Sequence, residues 1–320
     1  MNYILLIFGF LLLIKGAIYF VDGSSDIATI LKIPPILIVL TIVAFGTSLP
    51  EVSVSIIASI DNQNGLSLGN IIGSNIFNIL MVLGTTAFIK NLQVRKSIVK
   101  KEMPILIITS MIALYLSIDL TISRIDGMIL LLLFLLFLYD MIKEALRNRN
   151  LSLKESYEFL EANTNIASIS IDNSLAKSLL ISGVGLIAII IGGKMVVSCA
   201  TNIAYSFGVS DHLIGISVVA LGTSLPEFIT SVIAATKGEN DIAVGNVIGS
   251  NIFNILFILG ASAFISPLSL EPTLILDSIF MICAIILSYI FVVQDKEITK
   301  YESLFLITTY FIYMIYLVSR

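Results

Sequence analysis

Two blocks of this sequence occur twice at a constant separation. Residues 44–51 read Ala-Phe-Gly-Thr-Ser-Leu-Pro-Glu, and residues 220–227 read Ala-Leu-Gly-Thr-Ser-Leu-Pro-Glu. Residues 69–78 read Gly-Asn-Ile-Ile-Gly-Ser-Asn-Ile-Phe-Asn, and residues 245–254 read Gly-Asn-Val-Ile-Gly-Ser-Asn-Ile-Phe-Asn. Both pairs are offset by 176 positions, from Glu51 to Glu227 and from Asn78 to Asn254. Nothing has been inserted or lost between the blocks, so the chain must fold as the same unit built twice.

The solvent for that unit is lipid. Hydrophobic residues make up 57% of the 320 positions and charged residues 12%, with a mean hydropathy of +1.03. A soluble domain carries about twice that charged fraction. A helical span needs about 20 apolar residues. Ten runs qualify, at roughly 3–31, 35–59, 66–89, 102–118, 125–142, 176–206, 212–235, 242–265, 273–293 and 302–319. They are continuously apolar rather than alternating, which excludes a membrane β-barrel. The first run lacks a basic leader and is too long for a signal peptide. The expected fold is therefore an all-α polytopic membrane protein of ten helices. Residues 1–142 form one five-helix repeat, 143–175 a polar linker and 176–320 the second repeat.

Five spans is an odd number, so the second repeat enters the membrane from the opposite side and the repeats are inverted. Fourteen of the 18 lysines and arginines fall in loops on one face, among them Arg95, Lys96, Lys143 and Lys237; Arg124 and Arg320 fall on the other. Basic loops stay cytoplasmic. The 143–175 linker is thus expected in the cytoplasm and both termini outside. Lys15 and Lys194 lie within spans 1 and 6, where they read as snorkelling side chains or as partners in a water-filled crevice.

Glu51 and Glu227 lie deep in spans 2 and 7, where a carboxylate needs a partner. Thr47 and Ser48 precede Glu51 by four and three residues and share its helix face, as Thr223 and Ser224 share that of Glu227. Ser74 and Asn78 share a face of span 3, and Ser250 and Asn254 one of span 8. A lone hydroxyl in such a helix usually bonds its own backbone, but eight such groups around two carboxylates form an oxygen-rich centre. Pro50 and Pro226 lack an N–H, which frees the carbonyls of Gly46 and Gly222 and lets those of Ala44 and Ala220 tilt from the axis. Exposed backbone oxygen at membrane depth is tolerated only where something satisfies it, and a cation would do so. Gly69, Gly73, Gly245 and Gly249 are expected to let spans 3 and 8 approach spans 2 and 7. Carboxylates, hydroxyls, amides and carbonyls, without thiolate or imidazole, suit Ca2+, Na+ or Mg2+ rather than Zn2+, Cu+ or Fe. An irregular cage of six to eight oxygens favours Ca2+ among them.

The paired blocks resemble the two α-repeats of the cation/calcium exchanger superfamily, and most closely its prokaryotic sodium/calcium exchangers. The resemblance implies a Na+/Ca2+ antiporter with Glu51 and Glu227 as central Ca2+ ligands. It implies Na+ sites built from Ala44, Thr47, Ser48 and Ser74 and from Ala220, Thr223, Ser224 and Ser250, and it makes spans 1 and 6 a tilted pair that slides to switch access. Some relatives, including the potassium-dependent branch, carry aspartate at the position of Asn254. The amide here argues against K+ co-transport and leaves the stoichiometry to similarity alone. Ca2+/H+ or K+-dependent exchange is the alternative, and a passive cation channel a more distant one. No nucleophile–base pair or histidine cluster points to an enzyme, and no cofactor is expected beyond the transported Ca2+ and Na+. No basic stripe interleaved with aromatics points to nucleic acid. Cys199 and Cys283 read as small buried residues. His212 reads as an interfacial loop residue. The oligomeric state is open.

Overall fold

A computed structural model describes residues 2–31, 33, 35–162, 171–207 and 220–319. His212, Ala220's side chain and residues 212–219 at the start of span 7 lie outside the described residues. The first half of the chain comprises α1 (Asn2–Leu31), α2 (Pro35–Ile38), α3 (Ala44–Thr47), α4 (Leu49–Ile60), α5 (Asn64–Phe77), α6 (Leu83–Ile89), α7 (Met103–Leu116) and α8 (Arg124–Ala162). The second half comprises α9 (Ile171–Ser206), α10 (Ala220–Thr223), α11 (Leu225–Lys237), α12 (Asn240–Phe253), α13 (Gly260–Ile265), α14 (Pro272–Asp295) and α15 (Lys300–Ser319). Among the described residues, six helical stretches are long and apolar enough to cross a membrane: Asn2–Leu31, Asn64–Ile89, Arg124–Arg147, Leu175–Ala200, Asn240–Ile265 and Pro272–Gln294. The described residues of the polar 143–175 segment are helical. Helix α8 continues through it to Ala162, and α9 begins at Ile171.

The short helices mark where local chemistry breaks the regular ladder. Ser48 (φ −83°, ψ 8°) separates α3 from α4, and Pro50 follows within the first turn of α4. Ser224 (φ −90°, ψ 7°) and Pro226 repeat the break between α10 and α11. Among the described residues, π-helical turns occupy Val39–Val43, Asn78–Val82, Ile98–Glu102 and Asn254–Leu259. A π-turn widens the helix by one residue and detunes its backbone hydrogen bonds, a feature common at functional sites. Here the first, second and last of them abut Ala44, Asn78 and Asn254 of the oxygen-rich centre, and Ile98–Glu102 does not.

Four two-residue strands tie the halves together. β1 (Leu92–Gln93) pairs antiparallel with β4 (Glu297–Ile298), and β2 (Thr121–Ile122) with β3 (Leu268–Ser269). Adding 176 to β1 gives β3, and to β2 gives β4, so each repeat exchanges the same strands with the other.

Among the described residues, α1 and α9 form the most extensive helix pair. Gly9 meets Gly192, Gly16 meets Gly185, and Gly23 meets Ser182, so the two helices run antiparallel. A Cβ on Gly16 would lie 2.8 Å from the Gly185 carbonyl oxygen, and one on Gly185 would lie 2.5 Å from the Phe20 nitrogen. Only hydrogen fits between these backbones. Gly249 plays the expected part between spans 8 and 2, where a Cβ would come within 2.9 Å of the Ala44 methyl. At Gly69 and Gly73, a Cβ would meet no described atom within 4 Å. Cys199 is buried as expected. Cys283 is exposed instead, because it sits on an outward face of α14. Lys15 and Lys194 are exposed.

Candidate cation site

The structure brings Glu51 to Ser224 and Glu227 to Ser48, so these predicted residues meet across the repeat boundary. Glu51 is 1% exposed and Glu227 is fully buried. Ser48 Oγ donates to Glu227 Oε1 at 2.8 Å, and Ser224 Oγ donates to Glu51 Oε1 at 2.8 Å. Each serine sits in a helix break, three residues before the glutamate of its own half, and serves the glutamate of the other. Ser250 Oγ adds a longer contact of 3.4 Å to Glu227 Oε1. Its counterpart Ser74 is buried, with no partner for its hydroxyl among the described residues.

The threonines follow the same rule. Thr47 Oγ1 donates to Asn246 Oδ1 at 3.1 Å, and Thr223 Oγ1 to Asn70 Oδ1 at 3.3 Å. Asn70 Nδ2 in turn reaches Ser55 Oγ at 2.9 Å and the Glu51 carbonyl at 3.4 Å. Asn246 Nδ2 reaches Ser231 Oγ at 3.0 Å and the Glu227 carbonyl at 3.2 Å. Asn254 Nδ2 donates to Asn75 Oδ1 at 3.0 Å, while Asn78 Nδ2 approaches Asn251 Oδ1 at 3.5 Å. Each of these contacts has its counterpart at the 176 offset.

The remaining capacity is mostly oxygen. Glu51 Oε2, Glu227 Oε2, Asn78 Oδ1, Asn254 Oδ1 and Ser74 Oγ are buried without a hydrogen-bond partner among the described residues. Buried polar groups are rarely left so. Two carboxylates, two amide carbonyls and a hydroxyl form a hard-donor set that suits a hydrated or partly dehydrated cation. The Ala44 carbonyl, expected to tilt free, accepts the Ser48 N–H at 3.1 Å. The helix regains that bond by turning at Ser48 before Pro50 can disrupt it. Asn70, Asn246, Asn75, Asn251, Ser55 and Ser231 were absent from the sequence-derived site. Their signal was present: Ser55 and Ser231 follow the glutamates by four residues, and Asn70, Ser74 and Asn78 repeat at intervals of four along one helix face.

A helical, multi-pass membrane protein with carboxylates, hydroxyls and amides buried at its centre is built as an ion transporter. The chain belongs to the sodium/calcium exchanger protein family, which it matches over residues 1–143 and 177–319. It is 33% identical over 343 aligned positions to the sodium/calcium exchanger MaX1 of Methanosarcina acetivorans, covering 99% of this chain and 98% of that one. It is 39% identical over 271 residues to the inner membrane protein YrbG of Escherichia coli, covering 84% and 81% of the two chains. A solved structure of the sodium-calcium exchanger NCX_Mj superposes with a TM-score of 0.84, at 31% identity and 98% coverage of each chain.

Proposed function

We propose that this protein exchanges Na+ for Ca2+ across a cell membrane by alternating access at the centre described above. The observation that carries this reading is the reciprocal bonding of Ser48 to Glu227 and Ser224 to Glu51. It holds two carboxylates of opposite halves in one oxygen-rich site, and two carboxylates match the charge of one divalent cation. The family and its named relatives support Na+ and Ca2+ as the substrates. Glu51 and Glu227 are the Ca2+ ligands in this reading. Thr47, Ser48, Ser74, Ala44, Thr223, Ser224, Ser250 and Ala220 build the Na+ positions, and Asn78 and Asn254 add their side-chain oxygens to the cation site.

The ten spans are two inverted five-helix repeats, 1–142 and 176–320, joined by 143–175. Inverted repeats give a carrier two mirror-related states around one fixed site. The reciprocal strand pairs and side-chain contacts support this arrangement. The distribution of basic residues supports a cytoplasmic linker and external termini. The uncharged Asn254 favours Na+ alone over K+ or H+ as the coupling ion.

The test is 45Ca2+ uptake into proteoliposomes loaded in turn with Na+, K+ or low-pH buffer. Uptake that follows an outward Na+ gradient is expected. Uptake of the same rate without any counter-gradient identifies a channel instead.

A further inference from the structure

The end of α11 is tied to α1 at two points. Lys237 Nζ pairs with Asp22 and also donates to the Ile18 carbonyl at 3.2 Å. Ser25 Oγ donates to Glu239 Oε1 at 3.0 Å. Helix α1 accordingly lies along α11. The counterpart of α1 in the other half is α9, and the counterpart of α11 is α4. Those two helices scarcely touch. The α1–α9 pair therefore leans on the second half, and the molecule is asymmetric at this place although its centre is nearly symmetric.

The repeat offset shows what the opposite docking would bring together. Ile18 corresponds to Lys194, Asp22 to Ser198 and Lys237 to Asp61. Ser25 corresponds to Thr201 and Glu239 to Gln63. In the mirror-related docking, the core residue at the latch is an anion and the sliding helix carries the cation. The side chain that corresponds to Asp22 is the uncharged Ser198, and the cation stands one turn away at Lys194, the counterpart of the Ile18 whose carbonyl Lys237 also reaches, so the charges are exchanged with a shift of one turn along the helix. The neighbouring pair stays complementary, as a hydroxyl and a side-chain carbonyl. Asp61 and Lys194 are both exposed, and neither has an ion-pair partner among the described residues. A lysine inside an apolar span needs such a use more than a loop lysine does.

We infer that Asp61 and Lys194 form a second latch, which closes when the α1–α9 pair docks against α4 and opens when Lys237 holds Asp22. The inference rests on the alternating-access reading above. Exposed ion pairs are weak, which suits contacts that break and re-form in every cycle.

The experiment uses the full chain in proteoliposomes, with Cys199→Ser and Cys283→Ser and a protease site inserted in the 143–175 linker. Two pairs are introduced separately, Asp22→Cys with Lys237→Cys and Asp61→Cys with Lys194→Cys. Each is treated with a short bifunctional thiol reagent in Na+ alone or Ca2+ alone, then denatured and cleaved. Halves that stay joined report the contact. Both pairs are expected to cross-link with opposite ion preference, each arresting exchange until reduced. As a second arm, Asp61→Lys alone slows exchange several-fold, and adding Lys194→Asp restores it. If Asp61 and Lys194 never join while Asp22 and Lys237 do, and Na+-driven flux persists, the latch is wrong and the antiport reading stands. Joining of both pairs together in every condition also overturns it, because the contact is then static. Absence of Na+-dependent flux in the cysteine-free parent sinks the antiport reading and the latch with it.

Discussion

Ser48 hydrogen-bonds Glu227 across the repeat boundary at 2.8 Å, and Ser224 bonds Glu51 at the same distance. The two halves thus complete each other's carboxylates, and neither half contains a finished site. A hydrogen bond to a charged group contributes roughly 1.5–3 kcal/mol. Ser48→Ala and Ser224→Ala should each weaken Na+-driven Ca2+ flux by about tenfold or more, at the lower end of that range. The two effects should be of similar size because the contacts are equivalent. Flux measured at several Ca2+ concentrations checks this; a strong effect of one serine and none of the other refutes the equivalence.

In the proposed site, Glu51→Gln and Glu227→Gln each remove one of the two carboxylate charges available to a divalent cation. A loss of about 3 kcal/mol lowers apparent Ca2+ affinity about 100-fold. The amide keeps the shape of the carboxylate, so the fold should survive. Size-exclusion chromatography of the purified variants and vesicle flux together make the test. Wild-type rates in either folded variant would remove that glutamate from the site.

Asn254 donates to Asn75 Oδ1 at 3.0 Å. An ionised aspartate has no proton to donate there and would set acceptor against acceptor unless the Asn75 amide turns over. It would also place a third carboxylate one helical turn from Ser250, which contacts Glu227, and like charges favour proton uptake. Asn254→Asp should therefore keep the fold but make exchange fall as pH falls, and it should admit K+ as a co-ion. Flux across pH 6 to 9, with and without K+, is the measurement. Superimposable profiles for the two proteins would place Asn254 away from the cations.

A Cβ on Gly185 would lie 2.5 Å from the Phe20 nitrogen. Backbone cannot yield as a flexible side chain can, so α1 and α9 must separate. Overpacking of this kind costs about 1–3 kcal/mol. Gly185→Ala should lower the melting temperature in detergent and slow exchange, whereas Gly183→Ala, where a Cβ meets no described atom within 4 Å, should change neither. Equal behaviour of the two variants would show that the helix pair tolerates a wider spacing.

Orientation is testable without function. In the chain lacking its native cysteines, an impermeant thiol reagent applied to intact cells should label Ser319→Cys and spare Asn148→Cys. The reverse pattern inverts the topology.

The repeats, the lipid-soluble class and the two glutamates were legible in the chain itself. A duplicated block is a relation along the sequence, and a carboxylate in a long apolar run stands out against its neighbours. Helical spacing also grouped Thr47, Ser48 and Glu51 on one face, because the period of a helix is known in advance. What spacing cannot express is which helix a face will meet. Ser48 lies three residues from Glu51, yet its hydroxyl goes to Glu227, and Asn70 accepts from Thr223 rather than from Thr47. Only tertiary structure decided these partners, since packing the two halves against each other brings residues 150 or more positions apart within hydrogen-bond reach. The same packing decided that α1 leans on α11 while α9 stands clear of α4. The repeated blocks are nearly identical, but Asp22 and Lys237 have no charged counterparts of the same sign at Ser198 and Asp61, so the ion pair that ties α1 to α11 has no equivalent at the same positions between α9 and α4.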